Sequence, residues 1–212
     1  MVIAYHLIWT AYGTWLPNDQ RGSSSKRICR SEIASLGQLH YGRRTLQPAG
    51  WEIRDFYKKA PSVLKHALLT FSPDHRRIIG ASFAESVETR KYTCYACAIM
   101  PDHVHMLIRK HRDTAERMIA NLQQDSRDAL RSSGARPPDH PVWGGPGWNV
   151  FQDNPDAIGR TIPYIESNPD KMGMPKQHWP FVRPYDGWPL HKGHNPNSPY
   201  AKRQHGEPFK KY

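Results

Sequence analysis

Long apolar runs are missing from this chain. No stretch approaches the roughly 20 apolar residues needed to cross a bilayer. The opening "MVIAYHLIWTAYGTWLP" has neither the basic start nor the small-residue cleavage site of a secretory leader. Cysteine is scarce: Cys29, Cys94 and Cys97 make an odd set with no disulfide framework, which points to a reducing, cytoplasmic setting. Acid is in deficit too. Asp and Glu number 19 against 30 Lys and Arg, and the resulting charge of +11 fits a polyanionic partner, nucleic acid before an anionic membrane surface. No G-x-x-x-x-G-K-[ST] phosphate loop is present, so no ATP-driven step is expected. Cys94 and Cys97 have C-x-x-C spacing, but no second pair follows. Residues three apart on a strand face opposite sides, so packing accounts for them more simply than zinc or redox chemistry.

Proline and glycine are plentiful, 19 and 15 of 212 residues, which implies a modest core joined by long connections. "VIAYHLIWT" (2–10), rich in β-branched and aromatic residues, reads as a first strand. Residues 18–62 are polar and basic and read as a loop-rich insertion. Ser72 as cap with Pro73 at the first helical position, then Ile79, Phe83 and Val87 at helical spacing, predicts a helix. "YTCYACAIM" (92–100) and "HVHMLIR" (103–109) predict two strands of a hairpin around "MPD". Residues 113–133 carry Ala115, Met118, Ile119, Leu122 and Ala129 on one helical face. After a Pro/Gly/Trp connector, "VFQD" offers a short strand, and Asn154 with Pro155 opens another helix. From 183 onward the chain is basic and aperiodic and reads as an extended tail. This order predicts an α+β fold, an antiparallel sheet with helices on one side.

Two constellations could carry chemistry. His103 and His105 lie one residue apart in a strand and project to the same face, which suits a metal ion gripped from one side. With 12 histidines in the chain, roughly 0.7 such pairs arise by chance, so a solvated strand face explains them as well. In "YIESNP" (164–169), Tyr164 and Asn168 stand one helical turn apart, a phenol beside an amide oxygen. A half-buried tyrosine before an Asn-Pro helix stop is the plainer reading. His75, His178, His191 and His194 read as solvated residues.

Taken together, "YHLIWTAYGTWLP" followed by "RG", then "MPDHVHMLI", then "YIESNP" resembles the single-tyrosine HUH transposases, and among them the REP-associated and IS200-like branches. The resemblance runs in order over residues 2–182. It implies a ferredoxin-like domain over 1–182, with His103, His105 and Asn168 as ligands of Mg²⁺ or Mn²⁺ and Tyr164 as nucleophile. Relatives among insertion sequences typically carry Gln where this chain has Asn168. The implied activity is nicking of single-stranded DNA beside hairpins through a 5′-phosphotyrosine, then rejoining, with no nucleotide cofactor. The alternatives are a non-catalytic hairpin-binding protein on the same scaffold and a nuclease in which water attacks. The expected partner is hairpin-forming single-stranded DNA, with no membrane, a homodimer left open and a place in the nucleoid. Arg21, Lys26, Arg27 and Arg30 in the insertion, with Lys202 and Arg203 in the tail, are the expected DNA-contacting cations. Pro163, directly before Tyr164, removes one helical hydrogen bond and is expected to kink the helix.

Overall fold

A computed structural model describes residues 2–188 apart from positions 24, 43, 44 and 138. Four strands, β1 (Ala4–Thr10), β2 (Cys94–Ile99), β3 (His103–Arg109) and β4 (Trp148–Gln152), form one antiparallel sheet in the order β2-β3-β1-β4. The helices are α1 (Ser31–Ala34), α2 (Gly50–Lys59), α3 (Pro73–Arg90), α4 (Ala115–Ser132), α5 (Pro155–Glu166) and α6 (Asn168–Lys171). Through β1, α3, β2, β3, α4 and β4 the chain follows the β-α-β-β-α-β path of a ferredoxin-like fold. This is the expected α+β architecture.

The helix starts form as their residues dictate. Ser72 Oγ accepts from His75 N at 3.2 Å, and Asn154 Oδ1 accepts from Ala157 N at 2.8 Å, each with proline at the next position. The β2–β3 hairpin closes with Met100 N donating to His103 O at 2.8 Å.

Strand alternation divides the core in two. Leu7, Trp9, Val104, Met106 and Ile108 face α3 and α4, meeting Ile79, Phe83, Met118 and Leu122. Ala4, Ala96, Ala98 and Leu107 face the other way and pack with Ile158 and Ile165 of α5. The sheet therefore carries helices on both faces: α3 and α4 on the side foreseen, and α5 on the opposite side, which the expectation of one covered side did not include. The reason is the composition of α5, whose Ile158 and Ile165 need burial of their own. A bulge between Cys94 and Ala96 turns both Cys94 and Cys97 into the α3–α4 cluster, where strict alternation would have separated them. Both are free buried thiols.

Residues 18–62 hold more structure than their composition indicates. Phe56 and Ala60 bury against Leu16, and Asp19 is fully buried. The start of the expected tail is also docked: Arg183 N donates to Cys94 O at 2.8 Å, and Tyr95 Oη donates to Asp186 Oδ1 at 2.9 Å. Lys202 and Arg203 lie outside the described residues. No described helix is long and apolar enough to cross a membrane.

Candidate functional site

β3 and β1 pair so that Ile8 stands opposite His105 and His6 opposite Leu107. His103, His105 and His6 therefore share the face that α5 covers. His105 and His6 are each 6% exposed, and their rings meet: His6 Nε2 lies 2.9 Å from His105 Nδ1. The His103 and His105 ring centroids are 4.8 Å apart. On its other side His103 Nδ1 sits 2.6 Å from Asp102 Oδ1.

Burial sets the protonation here. It pushes His105 down to about 2, helped by the neighbouring His103, His6 and Lys171, and it pushes His6 down to about 4. Both rings are neutral at pH 7. Burial drives the Asp102 carboxyl up, but the hydrogen bond and charge of His103 outweigh that and hold it below its ordinary value. An ionised Asp102 can only accept, so His103 Nδ1–H donates to it, and whenever the ring is neutral its lone pair lies on Nε2. Between His6 and His105 one neutral ring donates and the other accepts. If His105 Nδ1–H donates to His6 Nε2, His105 also keeps a free Nε2 lone pair.

Tyr164 arrives from α5. Its ring centroid is 5.8 Å from that of His105 and 6.0 Å from that of His6, and its side chain is 49% exposed. α5 runs through Pro163 to Glu166. Gly159 and Pro163 are both on the exposed side, where water can serve the carbonyl that Pro163 leaves unpaired. Asn168 does not continue α5. It opens α6, but Ser167 between them keeps a right-handed helical backbone (φ −82°, ψ −9°), so the one-turn offset from Tyr164 survives. Ser167 Oγ donates to Tyr164 O at 3.0 Å across that junction. The buried Asn168 Nδ2 has no hydrogen-bond partner among the described residues.

Three neighbours were not singled out from the sequence. Asp102 precedes His103 in the "MPD" corner and was open to view there. His6 was signalled only as a polar residue in an apolar strand; its meeting with His105 needed the register. Lys171, whose Nζ is 4.6 Å from the Tyr164 ring centroid, gave no signal at all. The insertion cations divide. Arg21 is engaged at home: its Nη2 lies 2.7 Å from Asp19 Oδ2, and its guanidinium stacks 4.2 Å over the Trp15 ring. Arg30 is half-buried at the start of α1 and lies 3.7 Å from Glu32, whereas Lys26 and Arg27 are exposed.

The donor set suits an open metal position and not a closed one. Among the described residues His103 and His105 each have one ring nitrogen engaged and the other without a partner, and Asn168 could add only its amide oxygen, since Nδ2 is a donor. Among the described residues no three His, Cys, Asp or Glu side chains are grouped to enclose an ion. The remaining positions would fall to substrate oxygens or water, the mode of hard divalent ions.

The fold and site together define a ferredoxin-like α+β domain with a histidine and tyrosine cluster on the α5 face of its sheet. No protein-family model matches the chain, and no curated protein matches it. Among solved structures it is similar to a REP-associated tyrosine transposase bound to a REP hairpin, at 13% identity and a TM-score of 0.44, covering 84% of this chain and 74% of that one. It is also similar to a candidate transposase of Deinococcus radiodurans R1, at 13% identity and a TM-score of 0.36, covering 79% of this chain and 91% of that one.

Proposed function

We propose that this protein is a metal-dependent transposase acting on single-stranded DNA, of the single-tyrosine HUH type its motifs resemble. The observation that carries the reading is the convergence of Tyr164, from a separate helix, onto His105 and His6. Tyr164 Oη attacks the scissile phosphorus and displaces the 3′ oxygen. The phenol loses its proton, the departing 3′ oxygen gains one, and the 5′ phosphate stays esterified to the tyrosine. A 3′-OH then reverses the step on another strand. The phosphodiester energy is conserved throughout, so no nucleotide is consumed.

A phenol with an ordinary value near 10 is a weak nucleophile at pH 7 and needs an activated phosphate. Mg²⁺ or Mn²⁺ held by His103, His105 and Asn168 would supply that activation by drawing charge from the phosphate oxygens. Asp102 and His6 fix the rings that present the ligand nitrogens. Lys171 sets a positive charge beside the tyrosine, where phosphate charge must be held. Hairpin-forming DNA is the substrate in this reading, and the excess of basic residues supplies affinity through backbone phosphates.

The test is incubation with end-labelled single-stranded hairpin DNA and Mn²⁺, followed by a denaturing gel. A covalent protein–DNA adduct and a nick are expected. Both should vanish in Tyr164→Phe, in His103→Ala, in His105→Ala and in EDTA, while hairpin binding persists. Nicking by the Phe variant would make water the nucleophile and overturn the transposase reading.

A further inference from the structure

Among the described residues, only part of the sheet face that carries the histidines is covered. α5 reaches β4 at its far end, where Thr161 Oγ1 bonds Gln152 Oε1 at 3.1 Å. Toward the other end of β4, Trp148 and Val150 are 40% and 41% exposed. The register fixes where they point. His105, Ile8 and Trp148 stand opposite one another in one row across β3, β1 and β4, and Leu107, His6 and Val150 form the next row. Residues paired in this way project to the same face. Trp148 therefore shares the face of His105, two strand spacings or about 10 Å away, and Val150 lies one spacing, about 5 Å, from His6. The intervening residues of β4 confirm the sides: Asn149 Nδ2 donates to Glu116 of α4, and the Phe151 ring packs on Tyr5, both on the opposite face.

The backbone invests in this placement. Gly147 has φ +80°, and a Cβ there would fall 2.8 Å from Ile8 O and 3.0 Å from Trp9 Cβ. Only glycine allows β4 to close on β1 directly before Trp148. Edge strands are ordinarily blunted with charge, and an open Trp and Val on one is a liability without an occupant. The occupant must suit both apolar surface and strong positive charge. A second copy of the chain brings another +11 to the interface and is repelled. Single-stranded DNA brings negative phosphates and unpaired bases with apolar faces, and the cations Arg160 and Lys171 are exposed on α5 and α6.

We propose that Trp148 is a stacking platform for an unpaired DNA base, with Val150 and Ile8 flooring the strip that leads from it to Tyr164. This deepens the strand-transfer reading and rests on it for the placing of the scissile phosphate. The separation of about 10 Å between Trp148 and the His105 position corresponds to on the order of three stacked nucleotides at about 3.4 Å per step.

Binding is measured in EDTA, where no cleavage can intervene, by fluorescence anisotropy with labelled oligothymidylate and with a blunt hairpin. Trp148→Ala should weaken oligothymidylate binding about ten-fold or more, and Trp148→Phe should return it to within about three-fold, because stacking accepts any aromatic face. The blunt hairpin should bind all three proteins alike. In a hairpin with a single-stranded tail, 2-aminopurine should be quenched at one tail position, and the quench should vanish in Trp148→Ala. The proposal is overturned if the Ala variant binds oligothymidylate like the wild type, or if Ala and Phe weaken binding equally. It is also overturned if sedimentation shows a wild-type dimer that Trp148→Ala dissociates while oligothymidylate affinity is kept, which would assign the strip to a second copy. Failure of the tyrosine reading would show separately, as a missing adduct with the stacking signals intact.

Discussion

Replacing His6 with alanine takes away the partner that His105 Nδ1 has among the described residues, 2.9 Å distant and buried with it. In the proposed arrangement His105 donates from Nδ1, which leaves its Nε2 lone pair for the metal. Without His6 the ring can carry its proton on either nitrogen, and one of the two forms cannot bind a cation at Nε2. The ring also loses its orientation. Outer partners of ligating histidines typically contribute ten- to a hundredfold in metal affinity, so Mn²⁺ binding should weaken by about that factor, or about 1.4–2.7 kcal/mol. A titration of free Mn²⁺ by electron paramagnetic resonance reads this without any DNA. His6→Gln, whose side-chain oxygen can accept from Nδ1–H, should recover most of the loss. Nitrogen NMR of metal-free protein supplies a second reading, with the His105 proton expected on Nδ1 in the wild type. Wild-type Mn²⁺ affinity in His6→Ala, or a wild-type His105 protonated on Nε2, would refute the reasoning.

Stability should fall as pH is lowered below about 6.5. His6 and His105 have folded values pushed under their unfolded one, so the unfolded chain takes up protons first, and His6 alone accounts for at most about 3 kcal/mol between pH 6.5 and 4. Thermal melts across that range check it; a flat profile would mean the rings are not buried as neutral groups. Gly147→Ala forces a side chain into a left-handed residue against Ile8 O and should cost about 2 kcal/mol, lowering Tm by roughly 4–8 °C. Gly145→Ala, with open space around it, should melt like the wild type. Lys26→Ala combined with Arg27→Ala should flatten the salt dependence of single-strand binding, read as log affinity against log salt. The slope should change by about 0.7 for each phosphate these two side chains neutralise. Arg21→Ala should instead destabilise the protein by about 3 kcal/mol in a denaturant melt, because the buried Asp19 carboxylate loses its counter-charge and keeps only the hydrogen bonds from Tyr57 Oη and the residue-21 N–H.

Local grammar settled much of this protein. Ser72-Pro73 and Asn154-Pro155 mark helix starts because a side-chain oxygen and a missing N–H satisfy the first turn without outside help. The His103–His105 alternation places both rings on one face in any strand, and the "MPD" corner closes the hairpin within itself. Tyr164 and Asn168 keep their one-turn offset even though the helix is broken between them. These are short-range facts, and a reading of residues a few positions apart recovers them.

Tertiary structure decided what depends on register and packing. His6 reaches His105 only because β1 pairs antiparallel with β3 at one register, and a shift of one residue would turn it to the opposite face. The bulge at Cys94 and Ala96 overrides simple alternation and brings both thiols to one side. α5 covers the second face because its isoleucines find the small Ala96 and Ala98 there, a match between segments far apart in the chain. Arg21 looks like a free cation in sequence, but the buried Asp19 claims it. Trp148 reads as one aromatic residue in a Pro/Gly connector until β4 pairs with β1 and sets it on the face of the histidines. Sequence separation hides such pairings, because what selects them is the surface each segment buries against another and not anything within the segment itself.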